Sequence, residues 1–436
     1  MTVWERYSQD ERDEYEDFLK MYGALSAMFN QKSSETGAPY LDSKFQETIY
    51  AKSFQSEDVD IGNTPHDIMS TFGDDKIGIG LKTWLSSKRS YQKVMQLKRY
   101  RDKIDPLISE DKKDELAYTV ATIKNERLNA DYSRLGLSKD ENIYHYVTRD
   151  RGLLKLSETS YPLVDMDKLK PGKLNKSSFT FTDGLKEYKY TFGDSQIWMR
   201  FGPDESDTHL LDSINIDILD DPFTFLKDAF KQYKNVGGIY VQKKPERDYI
   251  YIPLYSYSRK TVSPRSGLNA WNGDPKTRGS QRVRPEGEAY LPIPKDLWNK
   301  CPFWVNPSID MRDYAGYKQE TGQSSYKFNL HFPNGKVYPA IIGQANFKSL
   351  ETKPQSALGK WIFNSLGVEH PQRERYDHPS DDIITMDRLM RFGLDSVKLW
   401  HEDPNDYKNI WIDFAEYGSF ERFMKDEMQV QDESEE

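Results

Sequence analysis

Near residue 238 the texture of the chain changes, and one core cannot serve both halves. Before it, long helical periodicities dominate. Residues 9–30 place Tyr15, Phe18, Leu19, Tyr22 and Leu25 at helical spacing, and residues 111–136 read as a second, charged helix. After it come short strands at Ile239–Val241, Tyr249–Tyr255 and Ala289–Ile293, parted by Pro- and Gly-rich turns. A chain of 436 residues is long enough for two or three domains. The expected division is 1–240, 241–420 and an acidic tail 421–436, with the boundary at 236–248.

Composition narrows the class. With 36% hydrophobic and 13% aromatic residues the chain can fill globular cores. Cys301 is the only cysteine, which excludes an intrachain disulfide and a multi-cysteine zinc site. Residues 1–20 show no apolar signal segment, and no later stretch is apolar enough to span a membrane, so a cytoplasmic protein is expected. The net charge of −9 sits in one place: residues 401–436 hold twelve Asp/Glu against three Lys/Arg. The rest is neutral overall but locally basic. Residues 85–105 hold seven Lys/Arg against two acids, and residues 259–300 hold nine against four.

The densest chemistry lies between residues 43 and 101. A helix is expected from Ser43, opened by a Ser-Lys-Phe-Gln capping box, with Phe45, Ile49 and Phe54 inward and Glu47 on an adjacent face. Asp67 follows a turn in which His66 is expected to be exposed. After a hairpin turn at Gly73-Asp74-Asp75, the strand Ile77–Leu81 delivers Lys82. A basic helix is expected at Tyr91–Arg101, with Gln92, Lys98 and Arg99 on it. A carboxylate can hold a hard cation while a nearby ammonium polarises water or a phosphate. This helix–strand–helix order suits an α/β nuclease core. Further on, residues 178–192 alternate around Asp183-Gly184 as a hairpin, and Phe223–Tyr233 is again helical.

The layout of Glu47, Asp67 and Lys82 resembles the PD-(D/E)XK nuclease superfamily, whose core is a mixed sheet flanked by helices. Pro65-His66-Asp67 stands for the first half of that motif, with one residue inserted, and Gly80-Leu81-Lys82 for the second. Glycine holds the position where the family has Asp or Glu. The resemblance implies Mg2+ held by Asp67 and Glu47, Lys82 beside the nucleophile, and Gln92 as a substitute oxygen ligand. Asp74 and Asp75 are alternatives as the second acid, and Gly78 and Gly80 would let backbone or DNA approach closely.

The C-terminal half carries a second resemblance. Tyr251-Ile-Pro-Leu-Tyr-Ser256, Ser266-Gly-Leu-Asn-Ala-Trp-Asn272, Arg282-Val-Arg284, Glu288-Ala-Tyr-Leu-Pro-Ile-Pro294, Gln344-Ala-Asn-Phe-Lys348 and Ala357-Leu-Gly-Lys-Trp361 follow in order. The series resembles the recognition domain of a group of type II restriction endonucleases, an all-β seven-stranded pseudobarrel with short helices, similar to the plant B-three DNA-binding domain. Residues 273–279 depart from it as an insertion. The resemblance implies double-stranded DNA as partner, with Asn269, Arg282, Arg284, Gln344, Asn346 and Lys348 as base- or backbone-reading side chains. Trp271 and Trp361 are expected in the core. The family also implies a dimer, for cutting both strands, and a companion DNA methyltransferase.

Other chemistries are absent from the sequence. No histidine is followed two places later by lysine, which excludes the phospholipase-D-type nuclease mechanism. His-Glu-x-x-His, P-loop and Gly-x-Ser-x-Gly patterns are also missing. Three rivals stay open: a DNA-binding protein with a decayed nuclease core, a nuclease for modified DNA, and a carbohydrate- or protein-binding barrel.

Overall fold

The Ile-Gly-Ile-Gly-Leu run at residues 77–81 becomes the centre of a strand buried on both faces, and the first unit is layered about it. A computed structural model of the chain describes residues 2–29, 37–62, 64–86, 90–235, 249–275, 283–375 and 378–425. The segment 236–248, with its expected strand at Ile239–Val241, Arg282, and the tail beyond residue 425 lie outside the described residues. Contacts divide the chain into two units, Met1–Leu128 with Leu137–Lys243, and Asn129–Gly136 with Lys244–Glu436.

The first unit begins with helix α1 (Gln9–Ala24), capped reciprocally by Ser8 and Glu11. Helix α2 (Ser43–Ser53) is capped one residue earlier than expected. The Asp42 carboxylate accepts from the Phe45 amide at 3.1 Å, a better match to the positive helix end than a serine, and Gln46 is buried. Strands β1 (Glu57–Asp58), β2 (Ile68–Phe72) and β3 (Asp75–Leu85) follow, with β2 and β3 joined by the turn at Gly73 and Asp74. Strand β4 is Ser90–Gln96. Helix α3 (Lys113–Leu135) then leads to β5 (Ile143–Asp150), which pairs parallel to β3. Strands β6 (Leu153–Ser160), β7 (Lys170–Leu174), β8 (Ser178–Thr182), β9 (Glu187–Thr191), β10 (Gln196–Phe201) and β11 (His209–Asn215) complete the unit's strands, and helix α4 (Pro222–Asn235) comes after them.

These strands form two sheets, β1-β2-β3-β5-β6-β11 and β4-β10-β9-β8-β7. In β3 the period-two rule sends Ile77, Ile79 and Leu81 to one face, where they pack with Tyr15 and Leu19 of α1 and Ile49 and Tyr50 of α2. Each such buried side chain contributes about 1.5–3 kcal/mol. Gly78, Gly80, Lys82 and Trp84 take the opposite face. In the second sheet Phe179, Phe181, Tyr188 and Tyr190 are fully buried, as the alternation in 178–192 requires. The expected basic helix at 91–101 is not formed. Its first half is β4, hydrogen-bonded to β10, and a 3-10 turn at Lys98–Tyr100 leads into a short helix, Arg101–Ile104. Cross-strand pairing has overridden local preference there.

The second unit holds one seven-stranded sheet. Strands β12 (Tyr249–Pro253), β13 (Leu291–Pro292), β14 (Tyr326–His331), β15 (Val337–Gly343), β16 (Ser349–Thr352), β17 (Leu394–Trp400) and β18 (Asn409–Glu416) run in the order β12-β17-β18-β14-β15-β16-β13. The edge strands β12 and β13 come back against each other, so the sheet is nearly closed, like a barrel. Its lining follows from alternation: Tyr326, Phe328 and Leu330 of β14 are buried while Lys327 and Asn329 are exposed. Trp271 and Trp361 are buried core residues. The strand expected at Ala289–Ile293 shrinks to β13, and residues 267–272 form a wholly buried 3-10 helix.

Candidate active site

Asp67 stands immediately before β2, and antiparallel pairing of β2 with β3 brings it to the middle of β3. Its amide donates to Ile79 O at 3.0 Å, and its Oδ2 accepts from the Leu81 amide at 2.6 Å. Lys82 Nζ lies 3.5 Å from the same oxygen and donates to Leu81 O at 2.8 Å. The two side chains are 19% and 24% exposed, so the pair is anchored yet open to solvent. Residues fifteen apart in sequence are thus one ion pair because a two-strand hairpin folds them together.

Glu47 approaches from α2, where it accepts from Lys44 Nζ at 2.8 Å. Desolvation pushes its carboxyl above the usual range, Lys44 opposes this, and the Asp67 charge adds to the rise. The two acids are therefore close enough to feel each other. Asp60 belongs to the same neighbourhood. Its carboxyl is raised by desolvation first and by the Asp67 charge second. No motif marks Asp60; the alternating Asp58-Val59-Asp60 ahead of Asp67 is the signal available in sequence. Among the described residues, no group of three or more His, Cys, Asp or Glu converges to hold a metal ion.

The missing acid of the motif has a steric cause. Gly80 is the cross-strand partner of Tyr144, and a Cβ on residue 80 would meet Tyr144 Cε1 at 2.5 Å. Tyr144 is itself held by stacking on Tyr161, with centroids 3.9 Å apart. Gly78 is likewise filled from outside, by the His66 ring at 2.4 Å from a built Cβ. His66 is therefore fully buried rather than exposed in its turn, since the glycine vacates a slot that the ring occupies. The close approach expected at both glycines is made by the protein's own rings. Asp75, one of the alternative acids, is held in an ion pair with Arg6 at 2.8 Å.

Gln92 lies elsewhere. It sits on β4 of the second sheet, not on a helix, with its amide turned to Ser90 Oγ. Lys98 and Arg99 are exposed on the 3-10 turn.

In the second unit, Asn269 is not a surface reader. It is fully buried, donates to Ser263 O and Ile384 O at 2.9 and 2.8 Å, and accepts from the Ile384 amide at 3.0 Å. Its job is to tie loops to the barrel. Arg284 donates to Asp274 O at 2.8 Å and lies 3.4 Å from buried Glu288. Gln344, Asn346 and Lys348 are exposed on one loop between β15 and β16. Gln344, Asn346 and Phe347 have φ values of 58°, 64° and 50°, a backbone region that non-glycine residues seldom enter. The loop is pinned by Phe347, fully buried against Tyr314 and Tyr317, whose carbonyl accepts from Trp298 Nε1 at 2.9 Å.

The chain matches no known family model, and no curated protein matches it in sequence. No helix among the described residues is long and apolar enough to cross a membrane.

Proposed function

We propose that the chain is a site-specific endonuclease of double-stranded DNA that hydrolyses phosphodiesters with Mg2+, in the manner of a type II restriction enzyme. One observation carries this: Asp67 and Lys82, 3.5 Å apart, stand where a helix, an antiparallel hairpin, a crossover helix and a parallel strand follow in order. That order resembles the PD-(D/E)XK core, and the nearly closed seven-stranded sheet supports a B-three-like recognition domain.

Asp67 and Glu47 would hold the ion, with water and phosphate oxygens completing its shell, since Mg2+ is commonly bound through one or two carboxylates. Bound there, Mg2+ supplies Lewis acidity to the phosphate and lowers the pKa of attacking water. Lys82 would place its ammonium beside the reacting phosphate and exchange Asp67 for a phosphate oxygen. The exposed Gln344, Asn346 and Lys348 would read the DNA, with Lys98 and Arg99 on its backbone. Two strand cuts call for two active sites, hence a dimer, and host DNA would need a protecting methyltransferase.

The test is cleavage of unmodified phage and plasmid DNA with and without Mg2+, beside Lys82→Ala and Asp67→Asn. Discrete bands that need Mg2+ and vanish in both variants support the reading. Salt-sensitive binding without cleavage of any DNA would replace it with the second reading, a DNA-binding protein with a decayed core. The space filled by Tyr144 at Gly80 is the observation that favours that alternative.

A further inference from the structure

Lys82 has a neighbour that the cleavage chemistry does not use. Its cross-strand partner on β5 is Tyr146, and Trp84 follows two residues along β3 on the same face. Tyr146 and Trp84 line a pocket of about 660 Å3, within the roughly 300–1,000 Å3 usual for small-ligand sites. Its floor is the same face of adjacent strands, and its far wall is Phe201 with the turn that follows β10. The three rings form a box: centroids of Trp84 and Tyr146 are 4.8 Å apart, Trp84 and Phe201 5.5 Å, and Tyr146 and Phe201 5.6 Å.

The charged groups of the lining select against a phosphate. Asp150 and Asp204 outnumber Lys155, and Asp150 also accepts from Ser86 Oγ at 3.1 Å. An aromatic box edged by carboxylates suits a flat, uncharged ring that carries amino groups. Those are the properties of adenine, cytosine and guanine; thymine lacks the amine. The pocket also opens one strand position beyond the lysine proposed to face the scissile phosphate, about 7 Å along the strand. A nucleotide next to that phosphate is within reach.

We infer that this pocket takes one amine-bearing nucleobase swung out of the DNA stack beside the cleaved bond. The inference rests on the nuclease reading for its DNA and deepens it: the first unit contributes to sequence or modification choice alongside the barrel. Extruding a base costs a few kcal/mol of stacking, which aromatic contact can offset.

The experiment uses the full chain bearing Lys82→Ala and a randomised duplex pool containing 5-iododeoxycytidine, photo-crosslinked and mapped by mass spectrometry. Crosslinks in peptides holding Trp84, Tyr146 or Phe201 are expected. Leu210→Glu should reduce them at least tenfold while other crosslinks persist. Leu210 lines the pocket and is 63% exposed, so this change leaves the fold alone. Trp84→Ala should act in the same direction. DNA binding with Mg2+-dependent cleavage by the wild type but no pocket crosslink would overturn this inference alone. Pocket crosslinks without cleavage by the wild type would keep it and sink the nuclease reading. Absence of any DNA binding would overturn both.

Discussion

Tyr144 occupies the volume that an acid at residue 80 would need: its Cε1 lies 2.5 Å from where the Gly80 Cβ would be built. The two residues are direct cross-strand partners in the parallel pair of β3 and β5. Glycine at this position is therefore a packing choice, and the departure from the nuclease motif has a partner that can be named.

Restoring the acid should fail unless the ring is removed. Gly80→Asp forces Tyr144 off its stack with Tyr161, an overpacking that costs about 1–3 kcal/mol. Tyr144→Ala alone leaves a cavity. The double variant fills the cavity with the carboxylate, so the two changes should cost at least about 1 kcal/mol less together than the sum of the singles. Urea midpoints of the four proteins measure this, and strict additivity would show that Tyr144 is not what excludes the acid.

Asn269 and Lys348 should separate stability from binding. Asn269→Ala removes three buried hydrogen bonds and leaves main-chain groups of Ser263 and Ile384 unsatisfied. A loss of about 2 kcal/mol or more is expected, at 1–3 kcal/mol per abandoned buried group. Lys348→Ala, on the exposed loop, should leave the thermal midpoint within about a degree. If it contacts a phosphate, it should weaken DNA binding and reduce the salt slope by about one. A marked stability loss in Lys348→Ala, or none in Asn269→Ala, would reverse these assignments.

How much of this was legible in the sequence depended on whether the signal was local. Helix α1, the turn at Gly73-Asp74 and the hairpin at 178–192 follow from periodicity and turn chemistry, which are written into neighbouring residues. The strand β4 does not, because its partner β10 lies a hundred residues on, and Lys, Arg and Gln suit a helix equally well. His66 and Asn269 misled for one reason. A polar side chain beside a turn reads as exposed, and only the tertiary structure reveals the slot over Gly78 or the Ile384 backbone that receives it. The Asp67–Lys82 pairing was legible because a hairpin makes sequence spacing into geometry. The aromatic box around Trp84 draws on β3, β5 and β10, and no local pattern announces it.

Within the second unit, Arg134 bridges two acids, lying 2.9 Å from Asp131 and 3.1 Å from Asp413. Arg134 is 1% exposed, and burial pushes the Asp413 carboxyl up to about 6 despite the arginine. Removing the cation strands two buried carboxylates. Arg134→Met should therefore destabilise by about 3–5 kcal/mol, whereas Arg134→Met with Asp131→Asn and Asp413→Asn should recover most of it. Chemical denaturation of the two variants decides the matter. A single variant no worse than the triple would mean that the arginine does not neutralise the pair.

Glu158 gives the chain a pH dependence of unusual sign. It is 3% exposed and accepts from the amides of Val3 and Trp4, both at 2.9 Å. Those bonds favour the carboxylate, but desolvation outweighs them and pushes its pKa up to about 8. An acid whose folded pKa lies above its unfolded value binds its proton more tightly when folded. Its contribution to stability is full below about pH 4.5 and is lost as pH rises through about 8. His145, whose pKa burial lowers to about 3, works the other way, but only below about pH 6.5. Between pH 6.5 and 8 the loss through Glu158 should stand out in a difference measurement. Glu158→Gln keeps an acceptor and cannot ionise, so the stability of the wild type relative to this variant should fall across that window. Parallel urea titrations at pH 6.5, 7.2 and 8 would measure it, and a constant difference would mean that Glu158 is already ionised at pH 6.5.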